Sequence, residues 1–170
     1  MISTLLAQYA WVARIGFAAV LIATPFVARW LHTRRRVAGV LLCLAAALIV
    51  FTTLIPDPTR IVAGCELPFA FTDLIRVDSL ANILLFVPLT LAMTVLTRRR
   101  LLAFTVGTGA SAAIELAQWL APALGRSCTS TDWIANTLGA ALGVGLASLG
   151  LLSTRVASSR TGSPRRTRRA

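Results

Sequence analysis

The sequence predicts an all-α fold: a polytopic integral membrane bundle of about five transmembrane helices, with the N-terminus outside and the C-terminus in the cytoplasm. Of its 170 residues, 56% are hydrophobic and 14% are charged, whereas soluble domains have roughly 45–50% and about 25%. The hydrophobic residues fall into blocks close to the roughly 20 residues that a helix needs to cross a bilayer. Arginines flank these blocks, as is typical of residues that set membrane orientation. An ordinary soluble domain is thereby excluded.

Five apolar segments are long enough to cross a bilayer. In chain order, helices 1 to 5 are expected at residues 11–31, 37–55, 80–96, 101–121 and 133–152. Helix 1 is the weakest, because Arg14 and Arg29 interrupt it and Pro25 removes a backbone donor inside it. Trp11 and Trp30 near its ends fit interfacial anchors, so helix 1 either spans the membrane or lies along its surface.

The basic residues predict the orientation. All 17 of them are arginines. With the turn at 34–36 on the inner side, thirteen of the 17 lie inside and four lie outside, namely Arg14, Arg60, Arg76 and Arg126. The positive-inside rule therefore places the N-terminus outside. The net charge of +11 is explained by this arrangement and by anionic lipid headgroups, so nucleic acid is not an expected partner.

Two of the three cysteines are candidates for a disulfide. Cys65 and Cys128 lie one on each of the loops 56–79 and 122–132, which this orientation places outside. That side is oxidising, and disulfides persist there. We expect a Cys65–Cys128 bridge; the alternative is two free thiols, since sequence alone does not set the distance between their Cα atoms.

The single histidine, His32, lies at the inner end of helix 1, away from the outer acidic residues. A His-based catalytic triad or a His-ligated metal on the outer face is therefore excluded. The chain also contains no P-loop, no G-x-G-x-x-G after a strand and no Cys/His metal spacing. We expect no cofactor and no metal.

An acid-plus-amide pattern, D-x-[LI]-A-N-x-L, occurs twice. It begins at Asp78 in helix 3 and at Asp132 in helix 5, and each copy follows an Arg-Arg-Arg turn and an ascending helix. This arrangement suggests two parallel hairpin repeats, helices 2 and 3 and helices 4 and 5. Chance similarity between two Ala/Leu-rich helices is the alternative.

Residues three or four apart on a helix share a face. Three acid–amide pairs with this spacing lie near the outer helix ends: Asp78 with Asn82, Glu115 with Gln118, and Asp132 with Asn136. Polar groups that face lipid are costly, so we expect the pairs to face one another or a water-filled pocket. The simpler alternatives are helix N-caps for the two aspartates and interhelical hydrogen bonds for the asparagines.

Glu115 lies about six residues, or roughly 9 Å, below the outer end of helix 4. An intramembrane carboxylate indicates a functional site, and Arg126, across a short loop, is its expected charge partner. The alternative is a structural ion pair that locks the helices. Separately, Gly139 and Gly143 form a small-xxx-small face on helix 5 through which the protein could form homo- or hetero-oligomers.

Four motifs between residues 78 and 143 occur in the order and spacing of one known family. They are D-x-x-x-N-I-L-L-F-V-P-L at 78–89, I-E-L-A-Q at 114–118, G-R-S at 125–127 and D-W-I-A-N-T-L-G-A-A-L-G at 132–143. The segment resembles the VanZ-like family of bacterial membrane proteins. One departure is the stretch after G-R-S, often acidic in the family, which reads C-T-S-T here.

The resemblance implies a multi-pass protein of the bacterial cell membrane. The founding member of the family is associated with low-level resistance to teicoplanin, a glycopeptide that binds cell-wall precursors. The chain then divides into helix 1 with its basic turn at 1–36, a VanZ-like four-helix membrane core at 37–152, and an arginine-rich cytoplasmic tail at 153–170. The tail cannot bury enough apolar surface to fold alone, so we expect it to be disordered.

The polar residues together with the resemblance predict a non-enzymatic accessory factor of the cell envelope. The resemblance implies that it lowers susceptibility to glycopeptides such as teicoplanin. Its outer-leaflet polar pocket would bind a membrane lipid, a lipid-linked cell-wall precursor or a glycopeptide. Seven residues are the candidate ligand-binding residues: Asp78, Asn82, Glu115, Gln118, Arg126, Asp132 and Asn136.

Two other function classes remain open. One is an enzyme acting on a lipid-linked cell-wall precursor, with Glu115 or Asp132 as general base and Arg126 steadying an anionic group. No nucleophile with a matched base can be recognised, so the catalytic residues of such an enzyme are unknown. The other is a structural subunit of a membrane complex that assembles through Gly139 and Gly143.

Overall fold

Five long helices make up nearly all of the structure, a computed structural model that describes residues 10–56 and 64–161. They are α1 (Ala10–His32), α2 (Arg35–Leu54), α3 (Val77–Thr97), α4 (Arg100–Leu120) and α5 (Ser130–Thr161). Each contains a stretch long and apolar enough to cross a membrane. The all-α, multi-pass fold class is therefore confirmed, whereas the orientation of the termini stays a prediction.

The first helix is continuous across its two arginines and its proline. α1 runs from Ala10 to His32, and many of its large apolar side chains, such as Ile22 and Phe26, are exposed. Thr24, just before Pro25, turns its hydroxyl back to donate to the Val20 carbonyl at 2.7 Å. The exposed apolar surface and the length of α1 suit a lipid-facing span.

The centre of the bundle is α3, which packs against all four other helices. Its pairing with α5 is close because two glycines of α5 lie against the α3 backbone. A Cβ at Gly139 would overlap the Ile83 carbonyl, and one at Gly143 would lie 2.5 Å from the Val87 carbonyl oxygen. The Gly139/Gly143 face is thus packed against α3 within the chain, and an oligomer contact through it stays a prediction.

The two ends of the bundle differ in chemistry. At one end lie the arginine-rich turns between α1 and α2 and between α3 and α4. There Arg34 stacks over the Trp30 ring at 4.5 Å, and Arg35 donates to the Leu96 carbonyl at 2.9 Å. At the opposite end lie the first residues of α3 and α5 with the loops that precede them. Arg60, on one of these loops, lies outside the described residues.

The α5 helix continues to Thr161, so the backbone is helical over the first nine residues of the tail expected to be disordered. The physical reason is that residues 153–161 contain neither glycine nor proline, and extending an existing helix costs little. Stop signals appear only at Gly162 and Pro164. Residues 162–170 lie outside the part of the chain that the structure describes.

Candidate functional site

The loops before α3 and α5 are joined by two short parallel strands, β1 (Cys65–Glu66) and β2 (Cys128–Thr129). Cys65 lies opposite Cys128 and Glu66 lies opposite Thr129. The two cysteines form a disulfide with their Cα atoms 4.5 Å apart. Each strand follows the ascending helix of one proposed hairpin repeat and precedes the descending one, so the parallel pairing agrees with a repeat. The junction holds Thr129 at the start of α5.

Thr129 connects both carboxylates of the polar cluster. Its backbone N–H donates to Glu115 Oε2 at 2.8 Å, and its hydroxyl accepts the backbone N–H of Asp132 at 2.9 Å. In a capping box the carboxylate three residues into the helix would take the N–H of the capping residue. Here Glu115 of α4 takes that donor. The Asp132 carboxylate is therefore available to a different partner.

Asn82 is one such partner, since its side-chain amide donates to Asp132 Oδ1 at 2.6 Å. The bond joins the two copies of the repeated pattern across the α3–α5 pair.

Neither aspartate of the repeated pattern occupies the N-cap position of its helix. Asp132 is the third residue of α5 and Thr129 caps that helix, while Asp78 is the second residue of α3. The Asp78 side chain is 84% exposed, and its Oδ2 lies 3.9 Å from Nη2 of Arg76.

The other two amides also bridge helices. Asn136 donates through Nδ2 to the Ser111 hydroxyl at 3.0 Å, and Gln118 donates through Nε2 to the Thr53 carbonyl at 3.0 Å. Interhelical hydrogen bonding is thus part of what the amides do. These interhelical bonds do not use the full hydrogen-bonding capacity of the amides, because Asn136 Oδ1 is buried and has no hydrogen-bond partner. Asn136 itself is only 3% exposed.

Two cavities adjoin at this end of the bundle. The inner cavity, about 200 Å³ in volume, is lined by six of the seven candidate residues: Asn82, Glu115, Gln118, Arg126, Asp132 and Asn136. The outer cavity, about 540 Å³, is lined by the seventh, Asp78, together with Glu66, Asp73 and Arg76. Asn82, Arg126 and Asp132 line both cavities. The residues singled out from the sequence are therefore brought to one connected region.

The expected ion pair between Glu115 and Arg126 is wrong. Within ranges 10–56 and 64–161 no ion pair joins them, and Arg126 instead donates through Nε to the Ile55 carbonyl at 3.2 Å. The loop turns at Gly125, whose φ is 62°, and Arg126 is directed to the end of α2. The backbone N–H of Thr129 takes the place expected for the guanidinium at Glu115.

Sequence reasoning missed three residues that hold the cluster: Thr129, Ser111 and Thr53. Thr129 carries a recognisable signal, because T-S-T-D at 129–132 has the spacing of a capping box. Ser111 lies one turn before Glu115 on α4, where a serine gives no signal by itself. Thr53 contributes only its backbone carbonyl, which any residue could supply.

Comparison with known protein families gives a match to the model described as VanZ/LLP1, over residues 15–152. The chain belongs to the VanZ/LLP1 family. The suspected resemblance is therefore confirmed, and the matched region extends beyond the 37–152 core to include most of α1. No curated protein and no solved structure matches the chain.

Proposed function

We propose that this VanZ/LLP1 protein is a non-enzymatic accessory factor of the bacterial cell membrane that binds the polar headgroup of an amphiphile in its two adjoining cavities. Binding there would lower susceptibility to glycopeptides such as teicoplanin. The observation that carries the proposal is the convergence of six polar residues on the inner cavity. Among them Glu115 is a carboxylate only 8% exposed. A buried carboxylate that lines a cavity indicates a ligand site.

The outer face of the membrane is the proposed location of the cavities. They lie at the bundle end opposite the arginine turns at 34–36 and 98–100. The positive-inside rule assigns those turns to the cytoplasm. An outer location would place the cavities where cell-wall precursors and glycopeptides are found. The link to teicoplanin rests on family membership alone.

The cavity geometry favours binding over catalysis. An enzyme that transfers an acyl or phosphoryl group needs an activated nucleophile or an activated water. The Thr129 hydroxyl is engaged as the cap of α5, where it accepts the backbone N–H of Asp132, and the contact of Thr129 with Glu115 is made by its backbone N–H. Assembly through Gly139 and Gly143 is disfavoured as well, since that face packs on α3 within the chain.

The test is glycopeptide susceptibility of a sensitive Gram-positive host that expresses the protein, with membrane levels matched by immunoblot. We expect the wild type to lower teicoplanin susceptibility and Glu115→Gln and Asp132→Asn to lose most of that effect. Ser148→Ala is the matched control, since it removes a buried polar group of α5 that donates to the Val144 carbonyl of the same helix and lines neither cavity. Equal resistance from wild type and both carboxylate variants would contradict the proposal.

A further inference from the structure

We propose that the inner cavity binds a primary ammonium group, carried by an amphiphile whose phosphate lies against Arg126. The inference rests on the proposed function and names the chemistry of its ligand. Its starting point is the charge around the cavity. Glu115 and Asp132 both line it, and no cation of the described chain forms an ion pair with either carboxylate. A buried carboxylate without a cation attracts one.

A second, independent observation is the unused acceptor of Asn136. Its Oδ1 is buried with no partner, while its Nδ2 is held by Ser111. Asn136 lines the same cavity as the two carboxylates. A buried acceptor without a donor is costly, and a ligand in this cavity whose N–H reaches that oxygen would relieve the cost. An anionic ligand, or one that has only hydrogen-bond acceptors, would leave this oxygen without a donor.

The set of acceptors matches a primary ammonium, which has three N–H donors. Glu115, Asp132 and Asn136 provide an acceptor group each, from α4 and α5. A trimethylammonium group has no N–H donor and is usually recognised by aromatic rings. None of the described residues that line the inner cavity is aromatic. The cavity should therefore prefer a primary over a quaternary ammonium.

Arg126 provides the complementary charge at the boundary between the cavities, since it lines both of them. Among the residues that the structure describes, its guanidinium donates through Nε to the Ile55 carbonyl and makes no further hydrogen bond. The remaining guanidinium donors suit a phosphate, for which arginine has a matching fork geometry. A headgroup with an ammonium a few atoms from a phosphate would place the first in the inner cavity and the second at Arg126.

The experiment is native mass spectrometry of the full-length protein in detergent micelles, with lipids of equal chain length added in defined amounts. The headgroups are phosphoethanolamine, phosphocholine and phosphoglycerol, and free phosphoethanolamine serves as a chain-less arm. We expect the ethanolamine lipid to bind about tenfold more tightly than the other two lipids, the scale of one charge-assisted hydrogen bond. Weaker binding of free phosphoethanolamine would identify the amphiphile as the source.

Two variants test the assignment of the ammonium. Asp132→Asn removes the charge and keeps an acceptor for the Asn82 amide. Glu115→Gln removes the charge of the second carboxylate and keeps an acceptor for the backbone N–H of Thr129. Each should reduce the preference for ethanolamine over choline lipid to within about twofold, and Ser148→Ala should retain it. A thermal melt checks that each variant is folded. If one variant does not fold, the other still decides the question.

The outcomes separate this inference from the proposed function. If wild type binds glycerol and ethanolamine lipids equally, and Arg126→Gln weakens both, the headgroup site stands and the ammonium preference is wrong. If no cavity variant changes the binding of any lipid, the proposed function fails together with the inference. A loss of ethanolamine preference confined to the carboxylate variants supports both.

Discussion

Thr129 donates its backbone N–H to the Glu115 carboxylate at 2.8 Å while its hydroxyl caps the helix that carries Asp132. One residue of the short loop before α5 therefore positions both carboxylates of the inner cavity. The disulfide between Cys65 and Cys128 holds the preceding position of the same strand. The geometry of the polar cluster thus depends on a loop junction as much as on helix packing.

The cap can be tested separately from the backbone contact. Thr129→Val removes the hydroxyl that accepts from Asp132 but keeps the N–H that donates to Glu115. We expect Thr129→Val to lower the free energy of unfolding by about 1 kcal/mol, the usual cost of losing an N-cap. Thr129→Ser keeps a capping hydroxyl and should retain most of the wild-type stability. Thermal unfolding of both variants in detergent is the measurement. Equal melting temperatures for the valine and serine variants would show that the hydroxyl is not a cap.

The disulfide should contribute to stability, because it links positions 63 residues apart. The chain-entropy model gives roughly 4 kcal/mol for such a loop, and insertion in a membrane reduces this value because it already restricts the chain. Cys65→Ser should therefore lower the melting temperature, whereas Cys43→Ser, at an exposed free cysteine, should not. Intact mass after alkylation without reduction should show one modified cysteine; three would disprove the bridge.

Close packing between α3 and α5 gives a sharp glycine comparison. Gly143→Ala places a Cβ against the Val87 carbonyl, whereas Gly145→Ala on the same helix meets nothing within 4 Å. We expect the first to cost about 1–3 kcal/mol through overpacking and the second to be neutral or slightly stabilising. Melting temperatures provide the readout. Tolerance of both substitutions would mean that the helices do not approach so closely.

The hydrogen bond between Asn82 and Asp132, at 2.6 Å, joins the two copies of the repeated pattern. A double-mutant cycle with Asn82→Ala and Asp132→Ala isolates it. We expect a coupling free energy of about 1.5–3 kcal/mol, the range for a hydrogen bond to a charged group. Additive effects of the two single substitutions on the free energy of unfolding would show that the pair is not formed.

The orientation is tested by labelling single introduced cysteines in a Cys43→Ser background. Ala123 is exposed on the loop between α4 and α5, and Thr33 is exposed on the turn between α1 and α2. A membrane-impermeant maleimide should label Ala123→Cys in intact cells and Thr33→Cys only after permeabilisation. The reverse pattern would place the cavities on the cytoplasmic side and contradict the positive-inside argument.

Much of the fold follows from hydrophobic length and the position of arginines. The predicted spans begin too late, however: α3 starts at Val77 and α5 at Ser130, up to three residues before the apolar blocks at 80 and 133. Polar residues such as Asp78 and Asp132 form the first turns, and a hydropathy pattern does not count them. The repeated acid–amide pattern indicates the candidate site because its residues share helix faces.

The partners within the site could not be predicted in the same way. The sequence suggested Arg126 as the partner of Glu115, because the two lie across a short loop. The loop directs Arg126 to the Ile55 carbonyl instead, and such a direction depends on backbone torsions at Gly125. The spacing of Gly139 and Gly143 indicates close packing, but spacing does not tell whether the partner helix belongs to the same chain.

The most direct test of the central claim is to identify the amphiphile that copurifies with the protein from its own membrane. Lipids extracted from equal amounts of purified wild type and Glu115→Gln would be quantified by mass spectrometry. We expect one headgroup class to be enriched over the bulk membrane on the wild type and lost from the variant. Lipid of bulk composition on both proteins would contradict it, and the polar cluster would then serve only to join the helices.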